Sequence, residues 1–249
     1  VLRVVDDGGQ RVLLHGTTLL GAQAMDERDA CEPLAYYARS GPLGRAIAAY
    51  RSAHEPGDVS AVGLGAGSVA CYALPGEPWT FSEISAAVAG VASDPALFTY
   101  LENAEGEIVV RVEDGRLGMV ATPPGSRALV LVDAFSSDAV PAHLLTREAM
   151  RVYLRALRPG GWILLHVSNR SLDLVRIVSA VASAEGLAAR VNANASEVGG
   201  MGGAPSWIVL AADDASLAAL DGTGEFVGLP PSSVAAWTDD RASLWSALR

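Results

Sequence analysis

The sequence predicts a doubly wound, mainly parallel α/β sheet of seven strands, preceded by a small β-hairpin region. Short apolar runs alternate with helical segments from Val59 onward, a pattern typical of a parallel sheet with helices on both faces. A glycine-rich turn follows the first of these runs, where such sheets bind ligands. At the N-terminus, two strand-like runs flank Asp7, Gly8 and Gly9, which indicates a hairpin. The fold class is therefore Rossmann-like α/β.

The element boundaries follow from apolar runs, caps and breakers. We expect residues 1–44 to form the hairpin region with a connecting segment, and residues 45–249 to form the Rossmann-like domain. Thr146 is the expected N-cap of the fourth predicted helix, and the Pro-Gly-Gly sequence after it stops that helix. The strands are predicted at 59–62, 79–81, 108–112, 128–132, 162–167, 189–191 and 207–211. The helices are predicted at 45–54, 68–73, 85–92, 146–157 and 172–185.

Composition limits the function classes. Half of the 249 residues are hydrophobic and 18% are charged, so the chain can bury a substantial core. A net charge of −10 argues against a general nucleic-acid binder. Cys31 and Cys71 match no metal-binding or redox spacing, so we expect no disulfide framework, no metal site and a reducing, cytoplasmic environment. Because the chain starts at Val1, we expect a processed protein or a piece of a longer one.

The turn after the first strand has the pattern of a nucleotide cradle. Gly63, Gly65 and Gly67 are spaced G-x-G-x-G, which lets the backbone turn tightly and approach a ligand. Glu83 ends the next predicted strand, where a carboxylate binds ribose hydroxyls in dinucleotide-binding folds. The alternative is a tight strand–helix turn without a ligand.

Further acids follow later strands. Asp114, before Gly115, is placed to accept a hydrogen bond from an adenine amino group, with an Asp-Gly turn as the equal alternative. Asp133 ends a strongly apolar strand, where a carboxylate is costly without partners or a cleft. With Asp138 five residues on, it forms a pair suited to bind an ammonium ion and take a proton. Helix capping is the alternative for Asp138.

The sequence gives little support for a metal site, a hydrolase triad or a Schiff-base lysine. The four histidines lie at no metal-ligand spacing, so a metal site is not expected. His143 is interpreted as a loop residue, with a place in the pocket lining as the alternative, and His166 is interpreted as a satisfied core residue. No Ser-His-Asp order with a nucleophile elbow occurs, and the sequence contains no lysine, which excludes Schiff-base chemistry on this chain.

Four motifs in one order, GLGAG, SEIS, VEDGR and DAFSSDAVP, resemble the spermidine synthase (polyamine aminopropyltransferase) family. The resemblance covers nearly the whole chain and is greatest to bacterial spermidine synthase-like proteins. Several of those carry membrane segments in the same chain, which would account for a start at Val1. The resemblance implies a class I methyltransferase-like sheet that binds S-adenosylmethionine or its decarboxylated form. It also implies a small-molecule amine or other nucleophile as acceptor, and it is compatible with a homodimer.

The resemblance assigns roles to individual residues. The three glycines would cradle the sulfonium-bearing chain, and Asp133 would accept the proton of the attacking amine, with Asp138 beside it in the acceptor site. The remaining ligand contacts that it implies are Gln23, Glu83 for the ribose, and Asp114 with Gly115 for the adenine.

The chain also departs from the family pattern. Ala66 stands where the family has an aspartate for the terminal amine of the decarboxylated donor, so ordinary S-adenosylmethionine becomes at least as plausible a donor. The family's acceptor-holding Tyr-His-Glu stretch has no clear counterpart around Glu32 to Tyr37. Alternatives are therefore methyl transfer, or an adenosyl-ligand-binding module without turnover. A nicotinamide dehydrogenase is disfavoured because no catalytic Tyr-x-x-x-Lys pair occurs.

Overall fold

A computed structural model describes residues 1–134, 141–169, 171–192 and 205–248. The first three strands form a small antiparallel sheet in the order β1-β2-β3. Its strands are β1 (Leu2–Asp7), β2 (Gln10–His15) and β3 (Thr18–Ala24). The β1–β2 turn lies at Gly8 and Gly9, both with positive φ, as the sequence predicts.

The central sheet has eight described strands in the order β11-β9-β10-β8-β7-β4-β5-β6. The seven predicted strands all occur, and the additional strand is the three-residue β11, which is too short to give a periodic signal. The strands are β4 (Val59–Val62), β5 (Pro78–Glu83), β6 (Glu107–Val112), β7 (Arg127–Val132), β8 (Leu157–His166), β9 (Ala188–Asn192), β10 (Trp207–Ala211) and β11 (Phe226–Gly228).

The order in which successive strands are added to the sheet reverses beside β4. It runs outward from β4 through β5 to β6, and then returns to the other side of β4 with β7 and β8, all parallel. β10 inserts antiparallel between β8 and β9. The switch point between β4 and β7 is where a parallel sheet of this kind opens a crevice for ligands.

Helices cover both faces of the central sheet. Successive residues of β7 point to opposite faces of the sheet. Leu129 and Leu131 pack in the core on one face, and Val130 and Val132 pack in the core on the other face. Thr146 caps α5 by accepting from the backbone of Ala149, as predicted. The helices are α1 (Pro42–Ala53), α2 (Ala86–Ala92), α3 (Tyr100–Asn103), α4 (Gly115–Ala121), α5 (Arg147–Ala156), α6 (Leu174–Glu185) and α7 (Ala218–Asp221). The predicted helix after the glycine turn is a short 3₁₀ helix, Ser68–Tyr72.

The two cysteines form a disulfide, which the sequence did not predict. Cys31 and Cys71 are 40 residues apart in the chain, with 5.4 Å between their Cα atoms. The expectation of no disulfide was wrong because no local spacing marks a pair that only the fold brings together. The bond ties the segment after β3 to the 3₁₀ helix that follows the glycine turn.

No helix in the described ranges is both long and apolar enough to cross a membrane.

Candidate adenosyl-ligand and transfer site

A cavity of about 1620 Å³ opens at the carboxyl ends of β4, β5, β7 and β8, partly walled by the N-terminal sheet. It lies at the switch point where the sequence predicts a ligand site. Asp138 lies outside the described residues. The predicted site residues that line the cavity are Gly63, Gly65, Glu83, Asp114, Gly115 and Asp133.

The glycine turn fits tightly between two elements. Gly63 has a φ of +98°, and a Cβ built on it would lie 2.0 Å from the carbonyl oxygen of Asp133. Gly65 has a φ of +56°, and its Cβ would lie 2.3 Å from the carbonyl oxygen of Leu20. Only glycine therefore fits at these two positions without displacing the backbone. Gly67, by contrast, begins the 3₁₀ helix and is not in the cavity wall.

Glu83 holds the glycine turn in place. Its carboxylate is buried and accepts hydrogen bonds from the backbone N–H of Leu64 at 3.0 Å and of Ser85 at 2.8 Å. Each oxygen accepts one of these bonds and keeps acceptor capacity for a ligand hydroxyl. Glu83 therefore combines a structural role with a place in the cavity wall.

Asp114 caps a helix and also lines the cavity. Its Oδ1 caps α4 by accepting from the backbone N–H of Leu117 at 2.9 Å. The same residue lines the cavity, and its Oδ2 lies 3.6 Å from Nε2 of His143. His143, expected to be a loop residue, is therefore also part of the wall.

Gln23 and Ala66 lie away from the cavity wall. The Gln23 amide donates to the carbonyl oxygen of Ala30 at 2.6 Å and to Oγ1 of Thr99 at 2.8 Å, and its oxygen accepts from the Thr99 N–H at 2.9 Å. The predicted ligand contact of Gln23 is thus replaced by a brace between β3 and the segment before α3. Ala66 is buried, and its Cβ lies 2.7 Å from where Gly21 of β3 would carry a Cβ.

Asp133 lies at the centre of a polar cluster in the cavity wall. Its Oδ1 lies 2.8 Å from Nδ1 of His166, and the side chain of Tyr37 lies beside the same carboxylate. Burial acts to raise the pKa of Asp133, but the positive charge that His166 carries when protonated, the His166 hydrogen bond and the nearby Tyr37 outweigh burial, so the pKa lies below its ordinary value. Burial and the Asp133 charge raise the pKa of Tyr37 well above its usual range. Asp133 is therefore an ionised acceptor at neutral pH, and Tyr37 is a donor.

His166 connects this carboxylate to two serines. Its ring stacks on Trp207 with 4.8 Å between ring centroids, and its Nε2 lies 2.7 Å from Oγ of Ser168. The backbone N–H of Ser206 donates to the same Oγ at 2.8 Å. The sequence interpretation of His166 as a core residue was correct about burial and missed its partner. The signal was an imidazole at the end of the strand that neighbours the Asp133 strand.

Two tyrosines also enter the wall from a segment in which the sequence showed no acceptor-holding stretch. Tyr36 and Tyr37 belong to a 3₁₀ helix, Ala35–Tyr37, and both line the cavity. The hydroxyl of Tyr72 donates to the carbonyl oxygen of Tyr37 at 2.6 Å, which fixes this segment against the 3₁₀ helix after the glycine turn. The segment from Glu32 to Tyr37, in which the family's Tyr-His-Glu stretch has no clear counterpart, therefore contributes two tyrosines to the cavity wall.

Comparison with solved structures supports the fold assignment. A probable spermidine synthase from Corynebacterium glutamicum superposes with a TM-score of 0.72 at 17% identity, over 98% of this chain and 94% of the other. The chain has the fold of the spermidine synthases. A spermidine synthase in complex with the transition-state analogue AdoDATO matches with a TM-score of 0.51 at 13% identity, over 96% of this chain and 80% of the other.

The same fold extends to methyltransferases. Human methyltransferase-like protein 13, in complex with SAH, matches with a TM-score of 0.50 at 18% identity, over 68% of this chain and 82% of the other. No protein-family model and no curated protein sequence matches the chain. The predicted α/β class and the resemblance to spermidine synthases are therefore confirmed at the level of the fold.

The described residues hold no cluster of three or more His, Cys, Asp or Glu side chains suited to a metal ion.

Proposed function

We propose that this protein is a transferase with an adenosyl sulfonium donor and a small nucleophilic acceptor, with aminopropyl transfer to an amine as the default reaction. One observation carries the proposal. A single cavity at the switch point is lined by the glycine turn, by Glu83 and Asp114, and by the ionised Asp133 cluster. The structural neighbours named with SAH and AdoDATO support an adenosyl ligand for this fold.

The donor half of the proposed site comprises the glycine turn, Glu83 and the Asp114–Gly115 pair. The absence of a side chain at Gly63 and Gly65 lets the turn pack against the carbonyl oxygens of Asp133 and Leu20, and the turn would present its backbone to the ligand. Glu83 would accept hydrogen bonds from the ribose hydroxyls with the acceptor capacity that its backbone contacts leave. Asp114 would accept from the adenine amino group.

Transfer from such a donor needs little beyond alignment and proton removal. When bound, a sulfonium donor supplies an electrophilic carbon, and the chain must direct a nucleophile toward it. The polar cluster around Asp133 would orient the acceptor and receive the proton that it loses. Tyr36 lies against the ring of His166, with 5.4 Å between centroids, and would close the side of the acceptor site.

Methyl transfer from S-adenosylmethionine is the second candidate. Ala66 offers no carboxylate to a lone ammonium group, and it lies buried against β3 rather than in the cavity wall. A donor that retains its own carboxylate would therefore meet no repulsion from this position.

The Cys31–Cys71 disulfide bears on the cellular location of the protein. The cytoplasmic location that the sequence predicts requires that the bond survive a reducing environment, which few intracellular disulfides do.

Calorimetric titration with S-adenosylmethionine, its decarboxylated form and methylthioadenosine tests the proposal. We expect at least one of the three ligands to bind, and we expect Glu83→Gln to weaken that binding. Preference for the decarboxylated form would favour aminopropyl transfer, and preference for the carboxylated form would favour methyl transfer. An Asp133→Asn variant that binds the donor but loses turnover would exclude a binding module without activity. Failure of all three ligands to bind would refute the donor class.

A further inference from the structure

The polar cluster at Asp133 contains more than the carboxylate that the resemblance assigns as proton acceptor. A continuous line of hydrogen bonds runs from Asp133 through His166 to Ser168 and ends at the backbone N–H of Ser206, with Tyr37 beside the Asp133 carboxylate. The line joins the ends of β7, β8 and β10 on the cavity side of the sheet.

The partners of Asp133 make it a poor base. His166 donates to this carboxylate, and that hydrogen bond together with the neighbouring Tyr37 favours its charged form. A carboxylate held in this way has little tendency to take up a proton near neutral pH. Its geometry suits a different task, which is to hold an imidazole in one tautomer and orientation, as the buried carboxylate does in hydrolase triads.

The neighbouring groups define the proton positions on His166. An ionised carboxylate only accepts, so Nδ1 carries the proton that is donated to Asp133. Nε2 is then an acceptor for the hydroxyl proton of Ser168, whose oxygen in turn accepts from the Ser206 N–H. One lone pair of the Ser168 oxygen remains for a donor in the cavity, which Ser168 lines.

We propose that His166, acting through the hydroxyl of Ser168, takes the proton of the acceptor, and that Asp133 is a positioning residue. This inference rests on the proposed transferase function. As the acceptor attacks the electrophilic carbon, its N–H or O–H proton passes to the Ser168 oxygen while the Ser168 proton passes to Nε2. The new bond to carbon forms as the carbon–sulfur bond breaks, and that electron pair leaves with the thioether. The imidazolium that results is stabilised by Asp133, and the proton then returns to solvent.

An imidazole suits this role because one ring nitrogen donates to Asp133 while the other can accept a proton. Ser168 can serve either state of the ring, since its hydroxyl donates to neutral Nε2 and its oxygen accepts from a protonated one. Asp133 is the charged group that faces the ring among the described contacts. The ring also packs against Tyr36, Tyr37, Ser168 and Trp207.

The first test compares transfer rates and pH profiles. We expect His166→Asn to lower turnover about 100-fold or more, since general acid–base catalysis contributes about 10²–10⁴-fold. It should also remove the loss of kcat/KM on the acidic side, while methylthioadenosine binding measured by calorimetry stays unchanged. Ser168→Ala should lose turnover, and Ser168→Thr should restore it. His54→Asn is the matched control, because His54 also stacks on an aromatic ring, that of Tyr50 at 4.5 Å, but is not in the cavity wall.

The second test does not depend on turnover. Nitrogen NMR of the intact protein with labelled histidine, assigned by comparison with His166→Asn, reports the protonation of each ring nitrogen. A neutral ring with its proton on Nδ1 at about pH 8 supports the relay. A proton on Nε2 at that pH would overturn it. So would full turnover with an unchanged pH profile in His166→Asn. If the wild-type protein transferred nothing from any donor, the proposed function would fail, and the NMR result would still decide whether His166 can accept a proton.

Discussion

Gly63→Ala isolates the contact between the glycine turn and the Asp133 strand. An alanine at Gly63 must adopt a φ of +98°, and its Cβ would lie 2.0 Å from the carbonyl oxygen of Asp133. Gly76 provides a matched control, because its φ is +74° and a Cβ there meets nothing within 4 Å. The two alanine variants therefore share the cost of a positive φ and differ in the clash.

The expected difference in stability between the two variants follows from the positive φ and the clash. A left-handed conformation costs an L-residue about 1–2 kcal/mol, which we expect for Gly76→Ala. Relieving the clash at Gly63 requires movement of the backbone, and forced overpacking adds about 1–3 kcal/mol. Gly63→Ala should therefore be less stable than Gly76→Ala by about 2 kcal/mol, or about 4–8 °C in melting temperature for a domain of this size.

The assay pairs thermal unfolding with calorimetric binding of methylthioadenosine. We expect Gly63→Ala to melt earlier than Gly76→Ala and to lose ligand binding, because the shift moves the Asp133 backbone and the turn apart. Gly76→Ala should bind normally. Equal melting temperatures for the two variants, together with unchanged binding in Gly63→Ala, would refute the tight fit between the turn and β7.

Three further predictions concern other parts of the chain. Glu83→Gln replaces a buried carboxylate that accepts two backbone N–H bonds, so we expect about 1–3 kcal/mol lower stability by denaturant unfolding and weaker donor binding. Replacing Cys31 and Cys71 by serine should cost about 4 kcal/mol for a loop of 40 residues, whereas an unchanged midpoint would contradict the crosslink. Arg116 holds the pKa of Asp239 below its ordinary value, so the stability difference between wild type and Arg116→Gln should be present at neutral pH and fade as pH falls below about 4.

The sign of the Asp239 prediction follows from the direction of its pKa shift. A carboxylate whose pKa is lower in the folded state adds stability above the pKa of the unfolded chain and loses it as pH falls toward the folded value. A gap between wild type and Arg116→Gln that stays constant from neutral to acid pH would show that the Arg116–Asp239 pair contributes through packing alone.

Local patterns in the sequence were enough to define the framework. The apolar runs predicted the buried strands, since strands covered on both faces need continuous apolar sequence. Two glycines of the G-x-G-x-G spacing, Gly63 and Gly65, and the acids at the ends of β5, β6 and β7 lie at the switch point as predicted, because carboxyl ends of parallel strands meet at one edge, whereas Gly67 lies outside the cavity wall. Thr146 marked the start of α5 because capping is a local interaction.

The tertiary structure alone decided which groups face one another. Cys31 meets Cys71, Gln23 turns to Thr99, and Tyr37 lies beside Asp133, because contacts between segments far apart in sequence leave no periodic or spacing signal. The same holds for His166: its place at the end of β8 was visible in the sequence, but its bond to Asp133 depends on the pairing of β7 with β8. The sequence by itself thus determined the sheet and the position of the cavity. Only the fold decided which side chains form hydrogen bonds with one another in the cavity wall.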